Sequence, residues 1–408
     1  MKVFLLGGYG KTGLPAARLL AQSDLVTEIA IAGRSLEREE KAAIEIGEKA
    51  IPVHADGTDQ QKLTPLLAGY DVIMNAAYND TVLPTIRAAI RAGTHYCDLS
   101  WGNVLEPALQ LGSEAETAGI TAIVATGISP CISNLMGVHV ARQLEEVEQL
   151  QIGRADVFDF ATGGELTPQQ WLMDPKESFT ALLKFRSYFE WQLKVQHDKG
   201  LRTVLDYQDG QWVELDPIRN GLDVPHLEKG TMHLYPYVST VDYWGMLPLD
   251  LAKVSPVEIW FSPFPPQLNA VLREKALLML EGQIDPDTLL SSFYTTIERD
   301  PHSWLTLPDD FVLFSKMWVR AVGRKEGRAA RYSCWFTAPM WKVGGYFLTS
   351  VALVAAGRTI LRGEVQARGV IHAEKAFEPQ SFFDEVVAVL PEPLPDGKLI
   401  DESFEWLE

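Results

Sequence analysis

Apolar and polar positions over the first 125 residues alternate between two rhythms. The runs KVFLLG (2–7), EIAIAG (28–33), AIPVHA (50–55), DVIMNAA (71–77), THYCDL (94–99) and TAIVAT (121–126) read as strands. Between them LPAARLLAQS, SLEREEKAAIEIGEKA, DQQKLTPLLAG, TVLPTIRAAIRAG and SEAETAG have helix-forming composition and end at or near glycine or a polar break. Six strands joined this way predict an α/β fold with a doubly wound parallel sheet, in which ligands bind beyond the carboxyl ends of the strands.

After Ser129-Pro130 the rhythm changes. CISNLMGVHVARQLEEV reads as a helix leading away from the sheet, and the later strands, QLQIGRADVF, TVLDYQDGQWVEL, TMHLYPYVST and VEIWFSP, are scattered. DYQDGQWVEL has the turn chemistry of a hairpin around Asp209-Gly210. Helices are expected at roughly 265–282, 286–298 and 308–319, then a long apolar one from Pro339 to Gly363 and another in FEPQSFFDEVVAVL. The expected organisation is a first domain over 1–130, completed by 339–390, and a mixed α/β substrate or dimerisation domain over 131–338. The acidic, proline-punctuated residues 391–408 read as a surface tail rather than an element.

Composition narrows the classes. A chain of 408 residues, 47% hydrophobic, can bury a sizeable core. Met1-Lys2 runs straight into a strand, so no leader is expected, and the longest apolar stretch, Val343 to Ala356, is short of the ~20 residues that span a bilayer. Cys97, Cys131 and Cys334 lie far apart, and the eight histidines have no ligand spacing, so neither a disulfide framework nor a metal site is expected. A cytoplasmic protein is anticipated. The net charge of −18 argues against nucleic acid as a partner.

Candidate chemistry begins at the first strand end. In LLGGYGKTG, Gly8, Gly10 and Gly13 fit G-x-G-x-x-G at a strand-to-helix turn, with Tyr9, Lys11 and Thr12 between them. In such a Rossmann turn the first glycine allows the bend, the second lets a pyrophosphate approach and the third permits close helix packing. The second strand ends in Gly33-Arg34-Ser35, not in the acidic residue that holds an NAD ribose. A guanidinium with a neighbouring hydroxyl suits a 2′-phosphate, so NADP(H) is expected over NAD(H). Asp56 is read as an adenine neighbour or a plain turn former. At the fourth strand end, Ala76 and Ala77 leave room for the middle of the cofactor, and Asn75 is a candidate ribose ligand.

The glycine turn, AGRS, AGTHYCDLS (92–100), GISPCISNLMG (127–137), DGQWVELDP (209–217) and GRTILRGEVQARGVIHAEKAFEPQSFF (357–383) together resemble the saccharopine dehydrogenase (glutamate-forming, or saccharopine reductase) family. That resemblance implies an NADP-binding Rossmann domain, an inserted substrate domain and hydride transfer at a carbon–nitrogen bond of an amino-acid-like substrate. Homodimers are common among such enzymes. By the same resemblance Asp98 matches the acidic position that lies against substrate, and Ser129-Pro130 the segment beneath the nicotinamide, making Asp98 and Ser129 the candidate catalytic residues. Family members often carry D-P-G and then D-H where this chain has Ser129-Pro130-Cys131 and then Ser133-Asn134, which removes two carboxylates. Asp98 reads either as a partner for a substrate ammonium or as the cap of a helix starting near Trp101.

Other residues invite functional readings. Arg186, Arg320, Arg324 and Arg331 are candidate carboxylate clamps. His233, Tyr235 and Tyr237 alternate along a strand, on a face that suits a substrate cleft or, more often, core. Cys131 is better read as helix-entry packing than as a nucleophile. A carbonyl reductase of the short-chain type would need Tyr-x-x-x-Lys, and none of the twelve tyrosines has it. The competing class is a non-catalytic NADP(H)-binding sensor.

Overall fold

Every strand expected in the first 125 residues is present in the computed structural model. The structure describes residues 1–100, 104–156, 315–338, 345–394 and 396–407, the strand backbones at 192–197, 200–205, 211–215, 230–236 and 257–262, and parts of 274–299. The strands β1 (Lys2–Leu6), β2 (Glu28–Gly33), β3 (Ala50–His54), β4 (Val72–Asn75), β5 (His95–Asp98) and β6 (Thr121–Val124) stand in the order β6-β5-β4-β1-β2-β3, all parallel. This is the doubly wound order, with its switch point between β1 and β4. A seventh strand, Gly369–His372, extends the sheet in parallel beside β6.

Burial explains the composition of these strands. Val3 to Leu6, Val72 to Met74 and Ala122 to Val124 are buried as continuous apolar runs, as expected where both sheet faces are covered. Helix α1 (Gly13–Ala21) buries Ala16, Ala17, Leu19 and Leu20. The long apolar helix spans Gly345–Leu361 and buries Val351 through Ala356. Its Ser350 hydroxyl donates to the Thr12 carbonyl at 2.7 Å, which ties the helix to the glycine turn. Farther along, the Arg362 guanidinium pairs at 2.8 Å with Glu385, on the helix Pro379–Val389. Among the described residues, no helix is long and apolar enough to cross a membrane.

Met1–His139 and Tyr346–Leu399 form one compact unit. The other contains a nine-stranded sheet built on β7 (Glu146–Asp156), β8 (Gln192–His197), β9 (Gly200–Leu205), β10 (Gln211–Leu215), β11 (Gly230–Pro236), β12 (Val257–Ser262), β13 (Ser315–Lys325), β14 (Arg328–Phe336) and a last strand, Ile400–Trp406. Among the described residues, only β7 and β12 pair in parallel in this sheet; the other described pairings are antiparallel.

Two expectations are corrected here. The turn expected at Asp209-Gly210 lies outside the described residues; of the described strands, β9 pairs with β8, and β10 pairs with β11. The helix expected over 308–319 is overruled at its end, because Ser315 onward is β13. There Met317, Val319 and Ala321 alternate into the core, and the chain returns through Glu326 (φ 52°) and Gly327 (φ 70°). Two residues with positive φ make the tight turn that matches strand twist. The supposed tail is also an element: Ile400–Trp406 pairs with β14 in antiparallel register, Phe336 opposite Ile400 and Ala330 opposite Trp406. Most of the expected helices at 265–298, together with Arg186, Tyr237 and the segment at Trp101, lie outside the described residues.

Candidate functional site

The glycine turn follows β1 and enters α1 along a path that tolerates no extra atom. A Cβ on Gly13 would sit 2.0 Å from the Gly7 carbonyl oxygen, and the Gly10 N–H donates to that same oxygen at 2.8 Å. The backbone is thus drawn tight beneath the start of α1, whose first turn carries no acidic residue. That leaves a helix N-terminus suited to an anion. Lys11 adds a cation, its ammonium 5.7 Å above the Tyr346 ring.

Tyr9 joins this turn to β2. Its hydroxyl accepts the Arg34 N–H at 3.0 Å, and its ring lies where a Cβ on Gly33 would stand, 2.3 Å away. The Arg38 guanidinium lies 4.3 Å over the same ring. Arg34 itself is exposed. Ser35 stands at the N-cap position of the helix Leu36–Ile46 without a capping bond from its hydroxyl, and its N–H donates at 3.0 Å to the fully buried Glu39. Burial pushes the Glu39 carboxyl above its usual range, against the pull of His54. Two guanidiniums, Arg34 and Arg38, therefore flank the end of β2. The spacing R-S-x-x-R, which places Arg38 in the first turn of that helix, was the sequence signal for the second. Asp56 acts as the turn former: its carboxylate accepts from the Thr58 N–H and hydroxyl at 2.9 and 2.7 Å. Those bonds, with Arg34 as a lesser contributor, hold its carboxyl below the usual range.

At the centre of the sheet the polar side chains face inward. Asn75 is buried, donating to Thr81 Oγ1 at 2.9 Å and to Tyr96 Oη at 3.3 Å and accepting from the Ala77 N–H at 3.0 Å. Its amide is engaged with the strand end. Ala76 and Ala77 beside it are half-buried. Tyr96 then donates to Asp98 at 2.7 Å. The buried Asp98 carboxylate also accepts from the Ser100 N–H (3.0 Å), the Ser100 hydroxyl (2.6 Å) and the Ala125 N–H (2.7 Å). Burial raises the Asp98 pKa, partly offset by these bonds. Four donors from the protein thus surround the group expected to meet substrate, and Asp98 fastens the end of β5 to the end of β6. Sequence reasoning missed Tyr96, although residues i and i+2 of a strand share a face.

The segment after β6 is strained and buried. The Ser129-Pro130 bond is cis, and Ala125 (φ 62°) and Cys131 (φ 105°) hold left-handed backbone without being glycine. Non-glycine residues with left-handed backbone gather where surrounding structure fixes a functional geometry. From Ile120 to Val138 every residue is buried except Ser129. Burial pushes the Cys131 thiol well up, in keeping with packing and not with a nucleophile. Ser129 touches Ser133, which touches Asn134, which donates to the buried Glu374. Glu374 was not anticipated. It lies 240 positions from Asn134, and no local pattern announces that meeting.

Two of the four candidate arginines are engaged in ion pairs. Arg324 pairs with Glu148 at 3.2 Å, and Arg331 with Glu405. Guanidiniums already neutralised within their own sheet are poor clamps for a substrate carboxylate. Among the described residues no cluster of metal-ligating side chains occurs.

A dinucleotide fits this edge: the cradle at Gly13 that a Cβ would fill, the open helix N-terminus and the paired guanidiniums beyond β2 are the parts a diphosphate and a further phosphate require. The comparisons agree. Residues 3–123 match the family model described as saccharopine dehydrogenase NADP binding domain. The apo, histidine-tagged saccharopine dehydrogenase (L-Glu forming) from Saccharomyces cerevisiae shares the fold over 99% of both chains, with 16% identity and a TM-score of 0.66. The homospermidine synthase from Legionella pneumophila, solved in complex with NAD, is similar over 100% of this chain and 91% of that one, with 10% identity and a TM-score of 0.58. Residues 3–123 are thus a saccharopine dehydrogenase-like NADP-binding domain, within a chain that has the saccharopine dehydrogenase fold.

Proposed function

We propose that the chain is an NADP(H)-dependent oxidoreductase acting on a carbon–nitrogen bond of an amino-acid-like substrate. The observation that carries the reading is the pairing of the glycine cradle with Arg34 and Arg38 at the end of β2, on a domain of an NADP-binding family. The backbone of Gly8 through Gly13 receives the diphosphate, with Lys11 and Thr12 at the helix start. Arg34, Arg38 and Ser35 receive the 2′-phosphate, Tyr9 holding the two segments in register. Ala76 and Ala77 shape the wall along the middle of the cofactor, and Asn75 and Asp98 keep the strand ends in place from beneath. When bound, NADP(H) supplies or takes up the hydride, in keeping with the C–N chemistry that the family resemblance implies.

One observation favours a second reading. Asp98 is satisfied by four protein donors, and the two carboxylates common in the family are replaced by Ser129 and Ser133. A cofactor-binding sensor needs no proton-transferring side chain. Oxidation of NADPH in the presence of paired 2-oxo acids or aldehydes and amines separates the two. An oxidoreductase accelerates it with at least one pair; a sensor binds NADPH and accelerates none.

A further inference from the structure

The contacts behind Ser129 form a single file. The buried Glu374 accepts from the Asn134 amide nitrogen at 2.5 Å. Ser133 Oγ lies 3.0 Å from Asn134 Oδ1 and 3.0 Å from Ser129 Oγ. Ser133 and Asn134 are completely buried, whereas Ser129 is the one half-exposed side chain in its stretch. The file therefore has one deep end, a carboxylate, and one open end, a hydroxyl.

Proton counting gives it a direction. An ionised carboxylate can only accept, so the Asn134 NH2 must face it and the amide oxygen must face Ser133. An amide oxygen also only accepts, so the single Ser133 proton goes there. The contact between the two serines is then donated by Ser129, whose proton is spent inward. What Ser129 presents outward is lone pairs.

We infer that Ser129 meets its ligand as a hydrogen-bond acceptor, and that the group seated at the turn after β6 is an N–H donor: a substrate amine, or the primary carboxamide of the nicotinamide. Glu374 is then a positioning residue acting through Asn134 and Ser133. The inference rests on the dinucleotide reading only for the placement of a ligand at this edge.

Protonation would reverse the file. A neutral Glu374 can donate to the Asn134 oxygen, the amide nitrogen then donates to Ser133, and Ser129 is left with a proton to offer outward. Burial raises the Glu374 pKa to about 7, so both directions fall within an ordinary pH range. The titratable neighbours are the Cys131 thiol, held neutral by burial, and His372 and Lys375 on its own segment; the helix that carries Ser133 and Asn134 adds His139, whose ring lies against Phe383, and β6, packed behind Glu374, carries none.

The test uses the full chain and ligand affinity, not turnover. Titrations at pH 8 compare NADPH with its 3-acetylpyridine analogue, in which a methyl replaces the carboxamide NH2. They also compare L-glutamate with glutarate on the NADP+ complex, as probes with and without an amine. Ser129→Ala should weaken the N–H-bearing member of one pair at least fivefold and leave the other member within twofold. The affected pair identifies the cofactor or the substrate as the donor. Lowering the pH from 8 to 6 should weaken the same member in the wild type and have no such effect in Glu374→Gln, whose amide does not titrate. Ser133→Ala, which cuts the file without touching the Glu374–Asn134 pair, should match Ser129→Ala, and it stands in if Glu374→Gln does not fold. Equal effects on both members of each pair, or none on either, overturn the inference while the oxidoreductase reading stands. Failure of the wild type to bind NADPH at all overturns both.

Discussion

The Tyr9 hydroxyl accepts the Arg34 N–H at 3.0 Å, so the glycine turn and the end of β2 are held by one side chain that also carries the Arg38 guanidinium on its ring. Tyr9→Phe removes that hydrogen bond but keeps the ring, whereas Gly33→Ala drives a Cβ into the ring, 2.3 Å from its nearest atom. Because the obstacle is a side chain and not backbone, the fold adjusts and the phosphate site suffers. NADPH affinity should fall several-fold in Tyr9→Phe and more in Gly33→Ala, with thermal midpoints little changed. Fluorescence titration and a melt on each variant check this.

Gly13 makes the opposite prediction. There a Cβ meets backbone, the Gly7 oxygen at 2.0 Å, and neither partner can move without undoing the entry to α1. Gly13→Ala should lose ~3 kcal/mol or more of stability, as overpacking against rigid neighbours does. A urea melt reads the loss directly, and a stable Gly13→Ala protein would show that the turn is looser than described.

Asp98 is expected to act on the fold before it acts on chemistry. Its removal leaves the Tyr96 hydroxyl and the Ala125 and Ser100 N–H groups without their acceptor in a buried place. Asp98→Ala should therefore cost ~2–4 kcal/mol of stability. If instead the variant keeps its stability and loses only kcat/KM, Asp98 touches substrate after all.

The pH dependence of stability follows from Glu374. Its folded pKa, about 7, lies above the ordinary carboxyl value of 4.5, so the folded chain holds this proton more tightly than the unfolded chain does. The stabilisation is fully present below about pH 4.5 and is lost as the pH rises through about 7. The neighbouring His372, whose folded pKa is pushed down to about 3 by burial, works in the other direction: its contribution is present above pH 6.5 and lost on acidification. Glu374→Gln removes only the first effect. Its stability relative to wild type should rise by ~1–3 kcal/mol between pH 4.5 and pH 8, measured by paired urea melts. A constant difference would contradict the burial of an ionisable carboxyl there.

What could be read from the chain alone follows from range. β1 through β6 are each written as a run of local periodicity, and the G-x-G-x-x-G turn and Arg34 sit beside the strands that position them. The hairpin at Glu326-Gly327 was missed because its first residue is not one that ordinarily favours positive φ. Gly369–His372 and Ile400–Trp406 were missed because short or acidic segments become strands only through partners hundreds or tens of residues away, β6 and β14. The candidate site divides in the same way. Its phosphate end is local in sequence, while the support of Ser129 runs to Glu374, a contact that only the folded topology brings about.

The central claim is a site built for a dinucleotide carrying a 2′-phosphate, and parallel titrations of the wild type and of Arg34→Ala with NADPH and NADH test it most directly. The account predicts that the wild type binds NADPH at least tenfold more tightly than NADH, and that Arg34→Ala removes most of that preference by weakening NADPH alone. Equal binding of the two cofactors, or tighter binding of NADH, would contradict it.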